Sequence, residues 1–222
     1  MSKVIIIGGG AAGMFAALGA VDAGHHVTIL EQNEKLGKKI YITGKGRCNL
    51  TNACETSEIF ENIPRNAKFL YSAIYGYDNF RVIDFFEEHG NRVFPVSDHS
   101  SDVIATLQRT LKNKGVTVRL YTKAEHLEIE EGKVRGVKTS NGTTCPADAV
   151  IIATGGYSYQ TTGSTGDGYR FAKESGHTIA PLSPSLVPMT VKEDYCMQMQ
   201  GLSLKNVEVK IKDGKKCGGD GV

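Results

Sequence analysis

The apolar positions along the chain follow distinct periodicities. Val4-Ile5-Ile6-Ile7 is an unbroken β-branched run, the pattern of a strand buried on both faces of a parallel sheet. Gly8-Gly9-Gly10-Ala11-Ala12-Gly13 follows at once, and Met14 to Val21 is apolar nearly all round and rich in alanine, as a buried helix is. Gly24 predicts its end. His26 to Leu30 predicts a second strand, closing in Glu31. Strand, glycine turn, helix and strand make one βαβ unit in about thirty residues. Further on, residues 56–90 read as helical, with apolar positions at Phe69, Ile74, Ile83, Phe85 and Phe86. Asn91 to Val96 reads as a short strand. Ser101 to Lys114 reads as an amphipathic helix with Val103, Ile104, Leu107 and Leu111 on one face and Ser100 or Ser101 as its cap. Val116 to Tyr121 predicts a third parallel-type strand. Ala124–Glu130 and Val134–Thr139, with turns at Glu131-Gly132-Lys133 and Asn141-Gly142, predict a three-stranded meander. It leads into a buried strand at Ala149–Ala153, and Gly166 to Gly176 reads as a helix. Pro181, Pro184 and Pro188 mark a stiff extended segment and a domain exit. Leu202 to Ile211 alternates as an antiparallel strand of a different sheet does.

Composition narrows the class. With 222 residues, 40% of them apolar and 23% charged, neither a disordered nor a membrane class fits. The formal net charge is +2 and no Lys/Arg run exceeds two residues, so a nucleic-acid partner is not expected. Val4 to Ile7 is too short for a signal-peptide core or a membrane span. The 5 cysteines are widely scattered without a C-x-x-C pair, which predicts a reduced, cytoplasmic protein without a metal site. Residues 32–54 form a polar, glycine-spaced segment carrying Lys35, Lys38, Lys39, Lys45 and Arg47. Long irregular segments of this kind inside compact domains are usually functional.

Glycine is abundant, 26 against 6 prolines, and its placement carries the candidate chemistry. In Gly8-x-Gly10-x-x-Gly13, the first glycine permits the sharp turn and the second lets the backbone approach a pyrophosphate. The third lets helix and sheet pack closely. The first-turn amides, at Ala11 and Ala12, attract a diphosphate. Glu31 lies 18 residues after Gly13, at the end of the second strand and just before Gln32, where a carboxylate accepts ribose hydroxyls. These features predict dinucleotide binding.

Four separated blocks resemble a known group. They are the fingerprint with the late Ala153-Thr154-Gly155-Gly156 strand end, Gly37 to Asn52, Asn91 to Asp98, and Ser164-Thr165-Gly166-Asp167-Gly168 through Pro188. Together they resemble the HI0933/YhiN-type flavoproteins of the glutathione-reductase-like FAD superfamily, a group that includes BaiN-like and aminoacetone-oxidase-like proteins. The resemblance implies an α/β, glutathione-reductase-like FAD-binding Rossmann fold with a three-stranded β-meander, plus the start of a second, β-rich domain. Residues 1–190 would form the FAD-binding domain, without the C-terminal return that members of the group have. Residues 191–222 would begin the inserted substrate-side β domain.

By the same resemblance, FAD lays its adenosine half on the first βαβ unit, and Ala124 brackets adenine. Thr154, Gly155 and Gly156 pass beside the diphosphate and ribityl chain. Gly46, Arg47, Cys48 and Asn49 lie near the isoalloxazine, with Gly166 and Asp167 at the same end. Lys38 and Lys39 are either contacts to FAD phosphate or ribityl oxygens, or ordinary solvated lysines. Arg47 is a candidate catalytic cation facing the reduced flavin, or else an anchor for a substrate carboxylate or a member of a structural ion pair. His99 is a candidate proton donor or substrate contact, with a helix-capping context as the alternative. Cys48 and Cys54 enclose five residues, unlike the C-x4-C redox pair of disulfide reductases, so Cys48 is read as a small polar neighbour of the flavin. Tyr157 and Tyr159 are read as cavity-lining or packing residues. The implied function is an FAD-dependent oxidoreductase moving hydride between flavin N5 and a small organic substrate. NAD(P)H, as a transient co-substrate, or O2 would be the second partner. The alternative is a non-catalytic nucleotide-binding module, or an incomplete fragment that needs a partner or a missing segment.

Overall fold

The structure, a computed structural model, describes residues 1–46, 48, 50–90, 99–184, 192–199 and 202. The predicted strands at 91–96 and 202–211 therefore lie outside the described residues, Leu202 apart. The chain divides into two compact units, Met1–Ile179 and Ala180–Val222. In the second, the described secondary structure is one short helix, Tyr195–Gln198.

The first unit is built on a parallel sheet. Strand β1 (Lys3–Ile7) runs into helix α1 (Ala11–Asp22), which returns the chain to β2 (His26–Leu30). A 3-10 turn at Ile40–Gly46 and three helices follow: α2 (Thr56–Glu61), α3 (Tyr71–Gly76) and α4 (Asn79–Gly90). Helix α5 (Ser100–Asn113) leads to β3 (Thr117–Arg119). Then come β4 (Ala124–Glu130), β5 (Lys133–Thr139) and β6 (Thr144–Pro146), and the chain re-enters the first sheet as β7 (Ala149–Ile152) before helix α6 (Asp167–Glu174). The parallel sheet has the order β3-β2-β1-β7, and β4-β5-β6 form a separate antiparallel sheet. Val4 sits opposite Val27 on one side and Ala149 on the other. This is a Rossmann-type α/β fold.

The β-branched run of β1 now has its cause. Successive side chains of a strand point to opposite faces, and here each face is covered by a different layer. Val4 and Ile6 pack with Met14 and Ala17 of α1 and with Ile104, Leu107 and Leu111 of α5. Ile5 and Ile7 pack with Ala124 and Val137 of the meander and with Phe171 of α6. With both faces covered, β1 has no solvent face and can be apolar at every position. The amphipathic reading of α5 holds, and its apolar face seals the helical layer. Leu107 is 1% exposed, so Leu107→Ala is expected to cost about 2–4 kcal/mol, read as a shift in the urea midpoint. A loss under about 1 kcal/mol would mean that α5 does not seal this layer.

Several expectations are corrected. Neither Ser100 nor Ser101 caps α5. His99 occupies the cap position, no side-chain cap bond forms there, and Ser100 Oγ donates instead to the Tyr41 carbonyl at 3.4 Å. The segment 56–90 is helical as expected, in several pieces, but Phe69 is not a packed position: Asn66 adopts a left-handed conformation (φ 55°) before a 3-10 turn, and Phe69 is 85% exposed. The strand at 149–152 is not buried. Among the described residues β7 is the edge of its sheet, and Ile151 and Ile152 remain 37% and 38% exposed.

Candidate functional site

A cavity of about 710 Å³ opens at the carboxyl ends of β1, β2 and β7. Strand β1 has β2 on one side and β7 on the other, so the chain leaves it in one direction and returns from the other. That is the switch point where α/β sheets hold ligands.

The first wall is the turn from β1 into α1. Gly8 takes φ +106°, and a Cβ there would stand 2.5 Å from the Ala153 carbonyl oxygen. Gly13 lies in the first turn of the helix, where a Cβ would overlap the Gly8 carbonyl oxygen. Both glycines are required by backbone packing. Gly10 differs, because it has an ordinary extended backbone and nothing within 4 Å of where its Cβ would be. As the helix cap it offers no side-chain acceptor, so the first-turn amides of α1, which lack intrahelical partners, are left for something in the cavity.

The second wall is the end of β2. Glu31 is buried and both of its carboxylate oxygens are engaged. Gly9 N–H donates to Oε2 at 2.7 Å, and Asn33 donates to Oε1 from its backbone N–H at 2.8 Å and from Nδ2 at 2.7 Å. Each oxygen has more than one acceptor site, so Glu31 holds the glycine turn in place and can still accept from a ligand. Lys38 Nζ donates to Asn33 Oδ1 at 3.2 Å and pairs with Glu34 at the same distance.

The third wall is the segment after β7. Its 160s loop is tied back to the β2 end by three bonds. Gln32 Nε2 donates to the Gly163 carbonyl at 2.8 Å, Asn33 Nδ2 to the Thr162 carbonyl at 3.1 Å, and Lys39 Nζ to Ser164 Oγ at 2.6 Å. At the start of α6, burial pushes the Asp167 carboxyl pKa up. Hydrogen bonds from Thr165 Oγ1 at 2.6 Å and from Arg170 at 3.2 Å outweigh that and hold it below the usual carboxylate range.

The cavity thus brings together Gly8, Gly10, Ala11, Ala12, Glu31, Gln32, Lys38, Lys39, Ala124, Thr154, Gly155, Gly156 and Asp167. The other described candidates do not line it. Gly13 is a buried residue of the first turn of α1, packed on Gly8, Gly46 ends the 3-10 turn, and Gly166 caps α6 with φ +82° against the Tyr157 ring. Cys48 takes φ 60° and is buried in the helical-side core, where desolvation raises its thiol pKa against the lowering effect of a Thr43 hydrogen bond. His99 is exposed at the start of α5. Tyr157 is half exposed and stacks on Tyr169, whereas Tyr159 is exposed. Arg47 and Asn49 lie outside the described residues. Sequence reasoning missed Asn33 and the Thr162–Ser164 stretch, whose signal was only a polar run beside Gly163. Among the described residues no cluster of three or more His, Cys, Asp or Glu side chains could hold a metal ion. No described helix is long and apolar enough to cross a membrane.

Comparisons with known proteins agree with this architecture. The model of the HI0933-like protein Rossmann domain matches residues 2–219. The 3-dehydro-bile acid delta(4,6)-reductase of Clostridium scindens is 34% identical over 203 residues, covering 87% of this chain and 48% of that protein. The ribosomal RNA dihydrouridine synthase of Haemophilus influenzae is 31% identical over 215 residues, covering 91% and 53%. Its name includes an RNA, so the expectation of no nucleic-acid partner gains no support from it. The open conformation of a flavocytochrome c3 fumarate reductase superposes with a TM-score of 0.52 at 21% identity, over 78% of this chain and 40% of that one. The chain spans about half the length of the curated relatives it matches.

Proposed function

Because the chain belongs to the HI0933-like Rossmann family, we propose that the cavity at the β1 switch point holds FAD. On this reading the protein is the cofactor-binding part of an FAD-dependent oxidoreductase. The observation that carries the proposal is the pairing of Gly10 with Glu31. One is an open backbone position at a helix start, the other a buried carboxylate pre-fixed by three hydrogen bonds at the neighbouring strand end. A dinucleotide places a diphosphate and a ribose at that separation of roles. A volume of about 710 Å³ is also within the range of cofactor sites.

In this reading Glu31 accepts the adenosine ribose hydroxyls, and Gly10, Ala11 and Ala12 present backbone to the diphosphate. Ala124 borders the adenine, and Thr154 to Gly156 with Asp167 border the ribityl chain. When bound, FAD supplies two-electron chemistry, accepting or giving hydride. Arg47 and His99 keep the roles of candidate cation and candidate proton donor for that step. NAD(P)H or O2 is the second electron partner. The names of the two curated relatives share one chemical element, saturation of a C=C bond conjugated to a carbonyl, in an unsaturated 3-oxo bile acid and in uridine. We extend that class, hydride addition to an electron-poor C=C bond, to the whole enzyme. A small molecule is the substrate in the first reading, and uridine within RNA is the second reading, favoured by the Haemophilus relative.

Titration with FAD, followed by flavin fluorescence and the visible spectrum, tests the cofactor. Saturable uptake near one per chain, with FMN and riboflavin binding more weakly, is expected. A protein that takes up no FAD overturns the reading. Anaerobic mixing with NADPH or NADH tests the electron donor: bleaching supports a reductase, and its absence with both favours substrate oxidation or a non-catalytic module. Reoxidation of the photoreduced protein by a conjugated 3-oxo steroid or by a uridine oligonucleotide separates the two substrate readings.

A further inference from the structure

The loop after β7 is built as a unit of its own. Its neck is closed by backbone, where Gly166 N–H donates to the Gly156 carbonyl at 3.2 Å. Inside the neck, Thr162 N–H donates to the Tyr159 carbonyl and Gly163 N–H to the Gln160 carbonyl, each at 2.9 Å. Residues 156–166 thus form an Ω-loop, a compact excursion whose ends meet. It has no apolar anchor: none of its side chains belongs to either hydrophobic core, and its two aromatic residues, Tyr157 and Tyr159, are exposed. The Tyr157 ring stacks on Tyr169 beside the neck, with centroids 5.4 Å apart. Beyond the neck, among the described residues, the loop is held to the rest of the protein by the three side-chain hydrogen bonds from Gln32, Asn33 and Lys39. A segment held by hydrogen bonds over little buried apolar surface opens at low free energy. Gly155 (φ +73°) and Gly166 (φ +82°) bracket the neck, and glycine changes such a conformation at little steric cost.

We propose that residues 156–166 are a strap, latched across the cavity by Gln32, Asn33 and Lys39 and hinged at Gly155 and Gly166, whose opening gates the exchange of the bound ligand. The identity of the ligand rests on the FAD reading; the strap does not. The latch joins one wall of the cavity to another, protein to protein, so breaking it is a cost that entry and exit share. Asn33 Nδ2 divides its protons between Glu31 Oε1 and the Thr162 carbonyl, which registers the closed strap on the buried carboxylate. Among the described hydrogen bonds, the Gln32 and Ser164 side chains serve the latch alone.

Gln32→Ala and Ser164→Ala therefore each remove one tether, and Thr161→Ala, at an exposed position of the same loop, removes none. In the ligand-free full chain, each lost tether is expected to speed hydrogen exchange of the amides of residues 157–165 about 3- to 10-fold, the worth of one hydrogen bond. The amides of β1 and β2 should keep their rates. In stopped-flow mixing with FAD, association and dissociation are both expected to rise by that factor, leaving the dissociation constant within about twofold. Thr161→Ala should match the unmodified protein in every measurement. A change in only one of the two rates overturns the gate, since a side chain that touches the ligand alters dissociation by itself. Rates that stay unchanged in both tether variants overturn it as well, and unchanged hydrogen exchange overturns the strap. An unmodified protein that takes up no FAD overturns the FAD reading instead, and hydrogen exchange then decides the strap on its own.

Discussion

Gly10→Ala is expected to fold normally and fail to bind FAD, whereas Gly13→Ala, three residues along the same helix start, is expected to lose much of its stability. The two glycines answer to different neighbours. At Gly13 an added methyl would overlap the Gly8 carbonyl oxygen, and the Gly8 carbonyl carbon would stand 3.0 Å away. This is backbone in a turn that β1 and α1 hold from both ends, so it cannot give locally. Helix α1 would have to lift off the sheet, and Met14 and Ala17, both 0% exposed, would lose their packing against Val4 and Ile6. Overpacking against backbone of this kind costs about 2–4 kcal/mol. At Gly10 the backbone is extended (φ −79°, ψ −171°) and the added methyl meets nothing within 4 Å. Stability should stay within about 1 kcal/mol, but the methyl enters the space where a diphosphate would approach the helix start. FAD affinity is expected to fall about 100-fold or more, since no water-sized adjustment can restore backbone contact. Urea denaturation and FAD titration of both variants check the pair. If Gly10→Ala binds FAD as the parent does, the nucleotide does not lie across this helix start.

Glu31→Gln should show that one side chain serves both the fold and the ligand. The substitution changes no volume but turns one oxygen into an NH2 group. Whichever way the amide faces, that NH2 meets a donor, either Gly9 N–H on one side or the Asn33 backbone N–H and Nδ2 on the other. A buried donor left unpaired costs about 1–3 kcal/mol, so the ligand-free protein should melt several degrees lower, an estimate of about 4–8 °C per kcal/mol for a small domain and about half that for a larger one. The charge-assisted acceptor for ribose is lost at the same time, and FAD affinity should fall on the order of 10- to 100-fold. FMN lacks the adenosine ribose, so its weaker binding should change little once allowance is made for stability. Equal loss for FAD and FMN would mean that Glu31 acts only through the glycine turn.

The parts of the molecule legible in the sequence are those whose causes are local. The β1 run, the glycine turn, the alanine-rich α1 and Glu31 lie within about thirty residues, and each follows from a short-range rule of strand, turn or helix. The meander was legible through its Asn-Gly and Gly turns, because hairpin register is set by the turn itself. On the third wall, Thr154, Gly155, Gly156 and Asp167 were legible, but the tethers that hold it were not. Its three tethers join residues 131, 129 and 125 positions apart, and no periodicity encodes a meeting between two polar loops. The place of Cys48 was not legible either. The resemblance put it near the isoalloxazine; in the structure it takes φ 60° and is buried among the core residues of the helical side, a long-range packing that no local pattern encodes. The exposed face of β7 was not legible, since the same Val-Ile-Ile run describes a central strand and an edge strand equally well.

That edge also governs how the chain behaves on the bench. Val150, Ile151 and Ile152 have Ile5, Ile6 and Ile7 on one side, and no described strand pairs with them on the other. An edge strand with β-branched side chains is a template for other strands. Light scattering should rise with concentration well below the melting temperature, and Ile151→Lys, which sets a charge on the open strand, should suppress that rise.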